Sequence, residues 1–173
     1  MAILEPERYF ARITRISIED DLLGCGFVHA LLDMDNTILS RATHDVPTDV
    51  RAWLAKATDA GVKICLLSNN WHQSPYELGE ELGLPVVAKA CKPFPHGYLM
   101  ARHVLGARSA DTVVIGDQLS TDVAGAHFLG MKAYLVCPLV EQDLLRIRAV
   151  RVVERALLGN RVPEGAQACD GTS

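Results

Sequence analysis

Asp33 and Asp35 stand two residues apart where an apolar run ends, in the string Asp33-Met34-Asp35-Asn36-Thr37. If the backbone stays extended there, both carboxylates project to the same side and repel each other. Such a pair is tolerated when one proton is shared or a cation sits between the two, and a hard cation such as Mg²⁺ prefers oxygen ligands of this kind. A second pair, Asp117 and Asp122, follows Gly116 at the end of another apolar run. Ser68-Asn69-Asn70 offers a hydroxyl and amide donors after a third run, and Lys89 and Lys92 supply positive charge after a fourth. Four acids gathered at one place demand a metal.

The elements that must gather them follow from periodicity. Five apolar runs of strand length, Phe27 to Leu32, Val62 to Leu67, Val86 to Ala88, Thr112 to Ile115 and Lys132 to Cys137, alternate with segments of helical period. That alternation is the mark of βαβ units and a parallel sheet. Val50, Trp53, Leu54 and Ala57 form one helical stripe, with Thr48 as its expected cap and Gly61 beyond its end. Ser74, Pro75 and Glu77 announce a second helix by a capping box, closed at Gly83. A third is expected from Pro95 to Leu105 and a fourth from Thr121 to Leu129. The fold class is therefore α/β, a three-layer Rossmann-like sandwich around a parallel five-stranded sheet. Ligands bind such sheets at the carboxyl ends of the strands, where all the residues named above fall.

The chain has 173 residues, enough for one domain with one core. We expect that domain over 1–158, with a helical lead-in over 1–26 that includes a short helix begun by Ser17, a closing helix over 141–158, and a flexible tail over 159–173. A formal net charge of −4 and 6% aromatic residues give no field or stacking platform for nucleic acid. No 18 consecutive residues are apolar, and Glu5, Glu7 and Arg8 interrupt the start where a signal peptide needs an apolar stretch. Five cysteines form no C-x-x-C pair, which fits a reducing, cytoplasmic setting.

In order and type, Asp33-Met34-Asp35-Asn36-Thr37, Ser68, Lys92 and Gly116-Asp117 with Asp122 match the four motifs of the haloacid dehalogenase (HAD) superfamily of phosphatases, which the chain resembles over most of its length. Ser68-Asn69-Asn70, Lys92-Pro93 and Gly116-Asp117-Gln118 with Thr121-Asp122-Val123 resemble its subfamily IIIA, YqeG-like members, relatives of mitochondrial phosphatidylglycerophosphate phosphatases. The resemblance implies Mg²⁺ as cofactor, a phosphorylated substrate, and strand order 5-4-1-2-3 with Asp33 on the central strand. It also implies roles: Asp33 as nucleophile and Asp35 as acid and base; Thr37, Ser68, Asn69 and Lys92 at the phosphate; and Asp33, Asp35 through its carbonyl, Asp117 and Asp122 at the metal. Lys89 and Lys92 can each reach the phosphate, and the Lys-Pro pairing favours Lys92.

Plainer readings compete. A calcium-binding EF-hand loop beginning at Asp33 fails, because Ile38 stands where glycine is required and His44 where glutamate is required. His29, inside an apolar run, reads as a core histidine, and Trp71 reads as a packing residue. A non-catalytic module that keeps the fold is the alternative function class, opposed by the completeness of the motifs. The intervals between Thr37, Ser68 and Lys92 are filled by single helices and strands, so no large cap domain is expected and the site should be open. An open site suits a bulky or surface-bound substrate or a cleft completed by a second subunit, which leaves an oligomer open. Arg148, Arg151 and Arg155 form a basic stripe on the closing helix. With the subfamily resemblance it suggests weak peripheral contact with anionic lipid at the inner membrane surface and a phosphorylated lipid headgroup as substrate. A soluble phosphometabolite or phosphoprotein is the alternative.

Overall fold

The computed structural model describes residues 3–40, 42–71, 73–139, 157–159 and 161–166. Strands β1 (Arg8–Phe10), β2 (His29–Asp33), β3 (Lys63–Leu67), β4 (Val86–Val87), β5 (Thr112–Gly116) and β6 (Lys132–Val136) form one parallel sheet in the order β1-β6-β5-β2-β3-β4. The five expected strands thus stand in the expected order, and a sixth extends the sheet. That sixth strand corrects the lead-in: Arg8–Phe10 pairs with Tyr134–Val136 of β6 instead of continuing a helix. The lead-in is helical only in short turns over Ile13–Arg15, Ile18–Leu22 and Leu23–Cys25, and the Ser17 hydroxyl caps the second by accepting from Asp20 N.

Helices α1 (Thr48–Asp59) and α2 (Ser74–Leu82) occupy the intervals foreseen for them, as do α3 (Pro95–Leu105) and the short α4 (Ala124–Phe128). The expected caps differ in detail. Thr48 and Ser74 are the first helical residues, and neither α1 nor α2 has a side-chain cap. A wide helical turn over Leu119–Val123 feeds α4, so the expected fourth helix starts as an irregular turn.

Alternation along the strands builds two half-cores. Ala30, Leu32, Ile64, Leu66, Val113 and Ile115 face one side, where α1 and the lead-in cover them. Leu31, Cys65, Leu67, Val114 and Leu135 face the other, beneath Tyr98 and Ala101 of α3 and Ala126 of α4. Side chains on adjacent strand positions point to opposite faces, and a sheet buried on both faces must be apolar at every position. β2, at the centre, is buried throughout. Trp53 fixes α1 to the lead-in by donating Nε1–H to Ile16 O at 2.9 Å.

Part of the segment expected to fray is docked. Residues 161–166 lie along β1: Glu164 N donates to Tyr9 O at 2.7 Å, Ala11 N donates to Glu164 O at 2.8 Å, and Arg8 ion-pairs with Glu164. Arg148, Arg151 and Arg155 lie outside the described residues. Among the described residues no helix is long and apolar enough to cross a membrane, and no extra domain interrupts the stretch from Thr37 to Lys92.

Candidate active site

β2 carries Asp33 to the carboxyl edge of the sheet, flanked there by the ends of β3 and β5. Past Asp33 the chain folds back on itself: Asp35 bridges to Leu39, and Asn36 N donates to Leu39 O at 2.8 Å. Asn36 stands at φ 68°, a left-handed conformation that asparagine tolerates better than most residues. Thr37, buried by this turn, donates its hydroxyl to Asp33 Oδ2 at 3.1 Å.

Lys92 enters from the loop after β4. Lys89 at φ 54° and Cys91 at φ 53° bend that loop so that Lys92 points inward, between Asp33 and Asp122. Its ammonium pairs with Asp33 Oδ1 and donates to Asp122 Oδ1 at 2.7 Å. Lys89 lies outside this cluster, with its ammonium 5.4 Å from the centre of the Trp71 ring. Geometry thus separates the two lysines that composition could not. Trp71 itself is 67% exposed, so its use in packing is overturned.

Asn69, expected at the phosphate, has Lys92 as its partner instead. Lys92 N donates to Asn69 Oδ1 at 2.7 Å, and Asn69 Nδ2 donates to Lys92 O at 3.2 Å. One amide side chain therefore clamps both faces of the Lys92 backbone, a contact across 23 positions that no local pattern could reveal. Ser68 is buried, accepts from Asn70 N at 3.0 Å, and stands 3.5 Å from Asp35 Oδ2.

Asp117 follows β5, and Asp122 folds back from the turn after it to accept from Gln118 N at 3.2 Å. A side chain at Gly116 would overlap the Asp122 carboxylate, so glycine there permits the approach. Beneath the turn, the buried Tyr98 donates its hydroxyl to Thr121 O at 2.8 Å. Asp33, Asp117 and Asp122 are all buried, and each contributes an oxygen lying within 4.8 Å of the others.

Among the described residues, Asp33, Asp117 and Asp122 crowd three buried carboxylates together, and the Lys92 ammonium pairs with Asp33 and Asp122. Burial pushes the Asp33 carboxyl well above the usual range against the pull of Lys92, and repulsion from Asp122 and Asp117 adds to the rise. Burial pulls the Lys92 pKa down, yet Asp122 and Asp33 hold it above the ordinary lysine range. A hard divalent cation fits this all-oxygen set and would offset the repulsion among the carboxylates.

Comparison with known proteins bears on the same residues. The chain is 33% identical over 128 residues to the Probable phosphatase YqeG of Bacillus subtilis (strain 168), covering 74% of each chain. The HAD-hydrolase-like family model matches residues 90–138, the stretch from Lys92 through Asp117 and Asp122 to the end of β6. The chain belongs to the YqeG-like phosphatases of the HAD superfamily. Solved structures show the same fold at low identity. The cobalt-bound deoxy-D-mannose-octulosonate 8-phosphate phosphatase YrbI of Haemophilus influenzae superposes with a TM-score of 0.53 at 11% identity, over 78% of this chain and 88% of that one. A single-mutant thermostable NPPase of Geobacillus stearothermophilus gives 0.54 at 11% identity, over 80% and 94%. Within this YqeG-like fold, all eight residues singled out in the sequence come to the carboxyl edge, with Asn69 engaged on Lys92 and Thr37 on Asp33.

Proposed function

We propose that this YqeG-like phosphatase hydrolyses a phosphate monoester in two steps through an aspartyl-phosphate on Asp33. The observation that carries the reading is Lys92, buried between Asp33 and Asp122 at a strand-end edge that also holds Asp117 and Ser68. A carboxylate is a weak nucleophile unless held and aimed, and Asp33 is held at Oδ1 by Lys92 and at Oδ2 by Thr37.

In the first step an Asp33 oxygen bonds to phosphorus, the ester bond breaks, and Asp35 gives a proton to the departing oxygen. In the second, Asp35 takes a proton from water as the water oxygen bonds to phosphorus, and the acyl-phosphate bond breaks to restore Asp33. Lys92 and Ser68 face the phosphoryl oxygens, where transition-state charge collects. Asn69 serves that role at one remove by fixing the Lys92 backbone. Magnesium, held by Asp33, Asp117, Asp122 and the carbonyl of Asp35, would neutralise phosphate oxygens that otherwise repel the nucleophile.

Hydrolysis of a chromogenic aryl phosphate tests the reading. Turnover should appear with Mg²⁺, vanish in EDTA and return on adding the metal, and Asp33→Asn should abolish it. Metal-independent release, or full activity in Asp33→Asn, would sink it. A phosphorylated lipid headgroup as substrate belongs to this proposal on the strength of Arg148, Arg151 and Arg155 together with the subfamily resemblance. Co-sedimentation with anionic liposomes at low and high salt, beside phosphate release from phosphatidylglycerophosphate, checks it. Absent binding at low salt, with unimpaired release by the triple alanine variant, would point to a soluble substrate.

A further inference from the structure

The phosphoryl site shares one wall with a cleft that the two chemical steps do not use. Asp35 lines a cavity of about 310 Å³ together with Leu39, His44, Asn70, Glu77 and Glu81. The turn that folds Leu39 back beside Asp35 makes one side. Asn70 joins it from the end of β3, and Glu77 and Glu81, one helical turn apart on α2, make the far side. Glu81 is offset by Arg51, whose Nη1 lies 2.7 Å from Oε1, while among the described residues Glu77 forms no ion pair. The cleft thus mixes apolar walls at Leu39 and Leu78 with acidic groups at Asp35 and Glu77, and is at the small end of the size range of ligand pockets.

We propose that this cleft is the leaving-group subsite, and that it takes a small hydroxylated group, neutral or cationic, in preference to an anionic one. The inference rests on the phosphatase reading, in which Asp35 protonates the departing oxygen. Asp35 is common to the phosphoryl site and the cleft, so the group bonded to the oxygen it protonates lies beside the cleft. Carboxylates and an amide along its walls accept hydrogen bonds from hydroxyls or an ammonium. A carboxylate or phosphate on the leaving group would face Glu77, an exposed acid on the far wall, and be repelled by it. The same chemistry is presented by a free polyol phosphate and by the glycerol end of a lipid headgroup.

Three small esters separate charge from size: glycerol 3-phosphate, phosphoethanolamine and 3-phosphoglycerate, with neutral, cationic and anionic leaving groups. Their kcat/KM values should be compared, with Mg²⁺, in the wild type, Glu77→Gln, Glu77→Lys and Glu80→Lys. Glu80 is exposed on α2 and does not line the cleft, so it controls for the general field of an added lysine. The wild type should disfavour 3-phosphoglycerate relative to glycerol 3-phosphate on the order of tenfold. Glu77→Gln should reduce that ratio and Glu77→Lys should erase or invert it, while Glu80→Lys leaves it unchanged. A ratio that ignores Glu77, or that moves equally with Glu80→Lys, overturns the inference. So does hydrolysis of the aryl phosphate with none of the three esters accepted. If the aryl phosphate is not hydrolysed either, the phosphatase reading itself fails and the cleft assignment with it. Phosphatidylglycerophosphate in mixed micelles, run beside glycerol 3-phosphate, distinguishes the two sources, and preference for either, with the same Glu77 dependence, supports the cleft.

Discussion

β2 begins at His29 and ends at Asp33, and the polar clusters at its two ends are built on opposite principles. At the amino end one carboxylate serves several donors: Asp111 meets His29 Nδ1 at 3.0 Å, Arg108 Nε at 3.0 Å and the Arg108 backbone N–H at 3.0 Å. At the carboxyl end the buried Asp33, Asp117 and Asp122 crowd together, with the Lys92 ammonium paired to Asp33 and Asp122. The first arrangement is complete as it stands and holds the chain in place. The second crowds like charges that a cation would offset, and Lys92, Thr37 and the Asp122 turn restrain it. A buried cluster of crowded like charges is costly for folding and useful for binding, so it marks function where the satisfied cluster marks structure.

The largest contrast between the two ends should be in turnover. Asp33→Asn is expected to reduce phosphate release to background, and Asp35→Asn to slow it by about 10² to 10⁴ while still permitting capture of the phosphoryl group. His29→Ala, at the satisfied end, should leave kcat with Mg²⁺ within about twofold, since it touches nothing that meets substrate. A loss from His29→Ala comparable to that from Asp35→Asn would erase the distinction.

Stability in EDTA sharpens it further. Lys92→Ala leaves the buried carboxylates facing one another and should cost about 3–5 kcal/mol by urea unfolding. Asp117→Asn removes one of the repelling charges and should raise the Tm in EDTA, while shrinking the rise in Tm that Mg²⁺ gives the wild type. A fall in Tm from Asp117→Asn without metal would show that the carboxylates are not crowded. Asn69→Ala tests the clamp on Lys92. Two hydrogen bonds lost at about 1 kcal/mol each should lower kcat/KM roughly tenfold, with KM rising more than kcat falls.

The smallest expected effect lies at the amino end and depends on pH. Desolvation pulls the Asp111 carboxyl up, but hydrogen bonds from the Arg108 side chain and backbone and from His29 outweigh it and hold it below the usual range. A depressed carboxyl stabilises the fold above the unfolded value of about 3.9 and loses that contribution as pH falls through its folded value. Asp111→Asn should therefore be less stable than the wild type at neutral pH, with the gap closing as pH drops below about 4. A gap that widens in acid would contradict the assigned sign.

The sheet was legible because strands buried on both faces must be apolar at every position, so β2, β3, β5 and β6 stand out as runs. β1 was not, because three residues, Arg-Tyr-Phe, carry no period, and their pairing with β6 joins positions more than 120 apart. The docking of residues 161–166 on β1 is equally non-local. Asp33 and Asp117 could be named because each stands at a strand end or beside one, and Lys92 and Asp122 because they complete an ordered series of motifs with them. Which of Lys89 and Lys92 enters the site is set by left-handed backbone at Lys89 and Cys91, a property that residue type does not announce. The bonds from Asn69 to the Lys92 backbone were hidden for a related reason, since an amide's partner depends on what the fold brings opposite it. Glu77 was seen in a capping pattern with Ser74, but it lines a cleft instead, because Ser74 is itself the first helical residue and makes no cap.

The central claim is that the phosphoryl group passes through Asp33. Rapid acid quench during hydrolysis of an aryl phosphate, followed by peptide mass mapping, tests it most directly. The account predicts one phosphoryl adduct on the peptide containing Asp33, absent in Asp33→Asn and persisting in Asp35→Asn. An adduct on any other residue, or its survival in Asp33→Asn, would contradict it.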